Sequence, residues 1–276
     1  MRPTRFWFFG AICAFLYASL TVAAENPLKG CEEHVRYGAP KYLHLDHEVE
    51  PLCRLGYALS HNADRKVPDW VAWHITKQKA TSCADRKNAY KADPELPKGK
   101  RAERADYLKS GYDMGHLAPN ADFNWSQEAA RESFYLSNMA PQIHAFNAGI
   151  WKSLEEAERV WATDRGELYI IAGPIFDNQQ KKTIGTDKVG VPSHFYKIIY
   201  DPNAGEALAF VFPHAQIRNQ AIPFFQVTIR KIEELLGLNF MSKLADTTEE
   251  QVETAMPKVW DYDRSAWNAA MKKKCG

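Results

Sequence analysis

The sequence carries no strong charge of either sign: 35 Lys and Arg stand against 34 Asp and Glu, a formal net charge of +1. A protein that meets an acidic polymer with its whole surface shows a basic excess, so any such contact here has to be local. No 20–50-residue segment repeats, which excludes solenoids and propellers. Gly and Pro, fifteen of each, are scattered and too few for collagen or a linker. There is no C-x-x-C and no H-E-x-x-H, so neither a zinc ribbon nor a zincin helix is encoded. What is present, 45% hydrophobic and 25% charged residues over 276 positions, is the composition of a folded domain with a core that needs no staple.

The front of the chain differs from the rest. Arg2 and Arg5 precede an almost unbroken apolar run from Phe6 to Leu20, and Val22-Ala23-Ala24 offers small residues for cleavage. This is the pattern of an export signal over residues 1–24, cut after Ala24. An uncleaved anchor is the alternative, because Phe6 to Ala24 is just long enough to span a bilayer. The expectation is therefore a periplasmic or secreted protein with no stable membrane association once the signal is gone. Cys31, Cys53, Cys83 and Cys275 remain, an even number that points to two disulfides with three pairings open. The pairing Cys31–Cys53 with Cys83–Cys275 is favoured; the second bridge would tie the tail to the body.

Residues 25–50 show no clear period and read as an irregular leader, in which His44, Asp46 and His47 are expected to be solvated. From 51 to 276 a single domain is expected. Leu55–Ser60 and Trp70–Ile75 read as strands, and Ala84–Lys109 as a long, polar surface loop. Ser126 caps a short helix. Asn147–Thr163 is the best helix, with Ile150, Trp151, Leu154, Ala157, Val160 and Trp161 at three- and four-residue steps and Gly166 as its stop. Glu167–Phe176, Val191–Tyr200 and Glu206–Phe212 are β-rich, and Thr228–Leu236 is a short helix ended by Gly237. The mixture lacks βαβ alternation, so the fold class is α+β with a mainly antiparallel sheet and helices.

Two segments carry chemistry. One is Tyr112-Asp113-Met114-Gly115-His116-Leu117-Ala118-Pro119. The other is Ser137-Asn138-Met139-Ala140-Pro141-Gln142, running on to Asn147 and Glu155. In this order and spacing the chain resembles the DNA/RNA non-specific endonucleases of the ββα-metal (His-Me finger) superfamily. That family shows D-R-G-H, then S-N-x-x-P-Q, then an Asn opening a helix and a Glu further along it. Ala172-Gly173-Pro174 and Val191–Lys197 resemble its later strands, so the likeness covers about Leu52 to Leu238.

The resemblance implies a ββα-metal active-site motif and a set of roles. His116 is the general base, apt because an ordinary imidazole accepts a proton near neutrality. Asn147 is the one side-chain ligand of a divalent cation, Mg²⁺ with Mn²⁺ as a substitute, which favours oxygen donors and keeps most of its water. Glu155, about two helical turns on, holds water beside the ion. Arg159, one turn later, clamps phosphate while paired with Glu155. Asn138 holds the substrate or the histidine, and Gln142 and Arg86 bind substrate. The activity implied is a sugar-non-specific endonuclease leaving 5′-phosphate and 3′-hydroxyl ends on DNA and RNA, with an inhibitor protein as a further partner and a homodimer among the open oligomeric states.

Met114 is the departure: the family has Arg there, and Met brings no charge to the scissile phosphate. Lys98, Lys100, Arg101 and Arg104 are other cations able to attract the backbone. The loss leaves two further readings, a non-catalytic nucleic-acid- or inhibitor-binding protein on the same fold, and an exonuclease or single-strand-preferring variant. Asn147 as a plain N-cap is the bland reading of that residue, and Glu156 and Glu158 are expected to be exposed helix acids.

Overall fold

Strands that place large apolar residues on both faces need cover on both sides, and the chain is arranged to supply it. The computed structural model describes residues 27–83, 88–177 and 181–275. The expected signal at 1–24 and Arg86 lie outside the described residues.

In chain order the elements are β1 (Lys41–Tyr42), β2 (Val49–Cys53), β3 (Ala58–Asn62), β4 (Val67–Thr76), α1 (Lys77–Ala80), α2 (Arg104–Tyr107) and β5 (Asp113–His116). There follow α3 (Gln127–Glu132), β6 (Met139–Gln142), α4 (His144–Phe146), α5 (Lys152–Arg165), β7 (Glu167–Ile175), β8 (Thr183–Ile184) and β9 (Val189–Gly190). The chain finishes with β10 (His194–Asp201), β11 (Glu206–Pro213), β12 (Gln226–Val227), α6 (Ile229–Leu236), β13 (Leu238–Asn239), α7 (Asp246–Thr254) and α8 (Arg264–Cys275). Seven strands form one sheet in the order β12-β11-β10-β7-β4-β3-β2. Every neighbouring pair is antiparallel, as expected for the α+β class.

Alternation divides the sheet's side chains. Val71, Trp73 and Ile75 of β4, Leu168 and Ile170 of β7, and Phe195 and Ile199 of β10 join the core beneath α5. Trp70, Tyr169, Ile171, Tyr196 and Ile198 point the other way, to a second core closed by Leu28, Val35, Ile229, Ile232 and Val252. The leader is therefore not irregular throughout. β1 pairs with β13, β2 forms the sheet's edge, and Cys31 is fully buried. Its apolar residues cover a sheet face that would otherwise meet water.

Both favoured disulfides are present, Cys31–Cys53 and Cys83–Cys275. Caps fall where the sequence places them: Ser126 Oγ accepts from the Glu128 and Ala129 amides, Thr228 caps α6, and Gly237 ends it at φ 64°. The expected surface loop Ala84–Lys109 is corrected, because part of it is core. Asp93 is fully buried and takes both oxygens to Arg54 at 2.7 Å, while Leu96, Ala102 and Tyr107 are buried beside it. A polar composition concealed an anchored segment. Its buried carboxylate is satisfied by Arg54, from the turn between β2 and β3.

Candidate active site

β5 and β6 form a separate two-stranded antiparallel ribbon, with His116 opposite Met139 and Asp113 opposite Gln142. The chain leaves β6, turns through α4 and enters α5 by way of a π-helical turn over Asn147–Trp151, in which Gly149 leaves the helical region (φ −98°, ψ −115°). The regular-helix arithmetic for Asn147 and Glu155 therefore does not hold, and Asn147 is not the first helical residue. A π turn in this place is a common device at functional sites, since it re-aims side chains at the cost of regular bonding.

Two contacts join this turn to β5. Asp113 Oδ2 accepts from Asn147 Nδ2 at 2.9 Å, and also from His144 Nδ1 at 2.9 Å. At the other end of the strand, Trp151 Nε1 donates to the His116 carbonyl at 3.0 Å. With its amide nitrogen held by Asp113, Asn147 keeps its carbonyl oxygen for a ligand. The donor chemistry suits a hard cation that retains its water. Among the described residues no group of three His, Cys, Asp or Glu is placed to form a denser cage.

His116 is half-buried, its ring set between Phe134 (centroids 5.2 Å, edge-on) and Tyr90 (5.7 Å). Asn138 supports it from below and is fully buried. Its Oδ1 accepts from the Ala118 amide at 3.0 Å, and its Nδ2 donates to the carbonyls of Ala118 (2.8 Å) and Ser133 (3.0 Å). Asn138 is thus a clamp on the chain just after His116. Of the two roles expected of it, holding the substrate or the histidine, these contacts favour the second, because both amide hydrogens and the oxygen engage backbone. Gln142 is corrected. It is fully buried over Gly115, where a Cβ would sit 2.2 Å from its Oε1, so no substrate reaches it.

On α5, Glu155 is half-buried. Burial pushes its carboxyl up to about 7, against the pull of Lys197 and Arg159, and Asp122 and Glu156 add to the rise. Arg159 is corrected as to its partner. Its guanidinium donates to Asp122 Oδ1 at 2.9 Å, and Asp122 is held on its other oxygen by Trp73 Nε1, also at 2.9 Å. Arg159 is 7% exposed, so this buried pair occupies the group expected to clamp phosphate. Glu156 and Glu158 are buried rather than exposed. Glu158 meets Lys197 at 2.8 Å with neither side chain exposed, and the ammonium lies 4.5 Å from the Trp151 ring centre. Lys197 follows Phe195 by two residues in β10, and that inward phase in an apolar strand was the available signal.

A hollow beside the ribbon is lined by Tyr90, Arg104, Tyr112, Asp113, Met114 and Asn147, among others. Arg104 is exposed and has no ion-pair or hydrogen-bond partner among the described residues. It lines the same hollow as Met114, where the family's arginine is missing. Only proximity in space reveals this, since ten positions separate the two. His47, expected to be solvated, is also engaged: Nε2 lies 2.7 Å from Asp69 Oδ2 and Nδ1 2.9 Å from Asp46 Oδ1. The bond to Asp69 leads the causes that raise its pKa to about 9.

A two-stranded ribbon ending in histidine, followed by a helix whose head presents an asparagine, defines the ββα-metal class. Comparison with known proteins agrees. The model of the DNA/RNA non-specific endonuclease family matches residues 41–247. Nuclease EXOG, mitochondrial, of Xenopus laevis is 35% identical over 206 residues, 69% of this chain and 58% of its own length. Endonuclease G, mitochondrial, of Homo sapiens is 32% identical over 227 residues, 77% of this chain and 74% of its own. A solved structure described as the EndoG/EndoGI complex superposes with a TM-score of 0.71 at 31% identity, over 79% of this chain and 94% of that one.

The chain belongs to the DNA/RNA non-specific endonuclease family. It spans 56–60% of the length of the EXOG relatives from frog, mouse, human and zebrafish. The expected periplasmic or secreted destination is overturned by these relatives, which are named as mitochondrial proteins and point away from export.

Proposed function

We propose that this protein is a Mg²⁺-dependent, sugar-non-specific endonuclease that hydrolyses phosphodiester bonds of DNA and RNA, with Mn²⁺ able to replace Mg²⁺ and 5′-phosphate and 3′-hydroxyl ends as products. The observation that carries the proposal is the double tether of β5 to the π turn, which joins the strand of His116 to the asparagine available for a cation.

When bound, the cation supplies charge stabilisation for the leaving 3′ oxygen. His116 takes the proton of the attacking water, between aromatic rings that restrict its rotation. Glu155, when ionised, would hold a water of the cation. Asn138 fixes the chain after His116, so the base keeps its place as the substrate enters. Arg104 meets a backbone phosphate at the hollow, a charge-assisted contact supplying what Met114 lacks. The near-neutral surface fits an enzyme that has to release its product. An inhibitor protein is a further proposed partner, by analogy with the solved EndoG/EndoGI complex.

The test is cleavage of supercoiled plasmid and of a structured RNA with Mg²⁺, Mn²⁺ or EDTA. The proposal expects nicking, then linear product, on DNA, fragmentation of RNA, and neither with EDTA. Cutting that persists in EDTA refutes the metal requirement. Trimming of ends without nicking refutes endonucleolytic action.

A further inference from the structure

Ile143 is the residue from which the Asn147 turn hangs, because its carbonyl accepts from the amides of Phe146 and Asn147, each at 3.0 Å. Its own N–H donates to His214 Nε2 at 2.7 Å. The other ring nitrogen, Nδ1, lies 2.9 Å from the Pro192 carbonyl oxygen, which is an acceptor only. Nδ1 must then carry the proton and Nε2 the lone pair, so both partners select one neutral tautomer. The ring is wedged edge-on against Phe195 (5.2 Å) and Phe146 (5.6 Å) and tilted against Tyr112 (5.9 Å). His214 directly follows the last residue of β11, so the imidazole is anchored to the main sheet.

We propose that His214 is a positioning residue of the cleavage site, whose neutral Nδ1–H imidazole joins the sheet to the turn that aims Asn147. The inference rests on the reading of Asn147 as the residue that holds the cation. A chain of hydrogen bonds runs from the Pro192 carbonyl through the imidazole to the Ile143 N–H, and the carbonyl of the same residue, in the next peptide group, accepts from the Asn147 amide. Protonating Nε2 would set two donors face to face and release the turn. Burial lowers the imidazole's pKa against the Pro192 hydrogen bond, and the charges of Lys182 and His194 add to the fall. Lys182 lies over the Tyr112 ring, while His144 and Asp113 are the titratable groups on the neighbouring turn and strand.

Two measurements test this. Long-range ¹⁵N–¹H NMR of the metal-free protein reads the tautomer directly, whether or not the protein cuts nucleic acid. The Mg²⁺ concentration giving half-maximal plasmid nicking is then compared for wild type, His214→Phe and His214→Gln at pH 8, where Glu155 is ionised.

The expected tautomer is Nδ1–H. His214→Phe keeps the ring packing but leaves the Ile143 N–H unaccepted, so its half-saturating Mg²⁺ should rise about tenfold, with less than about threefold change in the rate at saturation. His214→Gln, whose Oε1 is as many bonds from Cβ as Nε2, should recover most of that loss at pH 8. An Nε2–H tautomer overturns the proposal, as does a wild-type Mg²⁺ requirement in His214→Phe. Should the Phe variant fail to fold, His214→Leu, which also offers the Ile143 N–H no acceptor, takes its place, and a wild-type Mg²⁺ requirement there overturns the proposal. A folded wild type that never cuts overturns the nuclease reading instead, and the tautomer still decides whether the clamp exists.

Discussion

Replacing Glu155 by Gln should stabilise the protein while disabling it. Burial raises the Glu155 carboxyl from an ordinary 4.5 to about 7 even with Lys197 and Arg159 nearby, so the folded state resists its ionisation. A rise from 4.5 to about 7, at about 1.36 kcal/mol for each tenfold change in proton affinity, sets an upper limit near 3 kcal/mol. Glu155 keeps some contact with water, and screening reduces the figure to roughly 2 kcal/mol. The sign follows from linkage. A carboxyl whose pKa is raised on folding favours the folded state below its unfolded pKa, and that contribution is lost as pH rises through 7.

Glu155→Gln should therefore melt roughly 4–8 °C above wild type at pH 8, given about 2–4 °C per kcal/mol for a domain of this size. The gap should close near pH 4.5. In the same preparation the plasmid-nicking rate at pH 8 should fall by at least about 100-fold, because the amide no longer orients water as an anion. A variant that melts at or below wild type at pH 8, with no change in the gap down to pH 4.5, refutes the burial argument. Raised stability with undiminished cleavage refutes the role.

Three other perturbations have distinct signatures. Asn138→Ala removes three buried hydrogen bonds around Ala118 and Ser133 and should cost about 2–4 kcal/mol in urea unfolding; a loss below about 1 kcal/mol would mean the clamp is not needed. Arg104→Ala should lower kcat/KM about tenfold on plasmid, mainly through KM and with a shallower salt dependence, at unchanged melting temperature; unaltered kinetics would remove Arg104 from the substrate path. His47→Gln should destabilise by roughly 1–2 kcal/mol below pH 6.5, and the difference should vanish as pH rises through 9, since the raised histidine pKa stabilises only while the ring is protonated; a pH-independent loss would show that packing alone matters.

The sequence makes the sheet legible because its strands alternate and its turns are punctuated. Glu167 begins β7, Thr228 and Gly237 bound α6, and Gly166 ends α5, all as local chemistry dictates. The candidate site is legible as motif, since His116 and Asn147 lie in two blocks whose order is preserved. What the motif cannot express is which group a polar side chain spends itself on. Asn138 serves backbone, Arg159 is taken by Asp122, and Glu158 is taken by Lys197 from a strand 39 residues away. The π turn was hidden because Ile150, Trp151 and Leu154 keep an apolar spacing that a regular helix would also satisfy. His214, and the place of Arg104 beside Met114, were out of reach for another reason. Each meets the site only through tertiary contact, and neither lies in a block that carries the resemblance.

The most direct test of the account is His116→Ala beside wild type on supercoiled plasmid with Mg²⁺, with the melting temperature of both measured. The account predicts metal-dependent nicking by wild type and at least a 100-fold loss in the variant, with the fold retained because the Asn138 clamp and the Trp151 bond engage backbone rather than the imidazole. Cleavage by His116→Ala at close to the wild-type rate would contradict it, and the base would have to be sought on another residue.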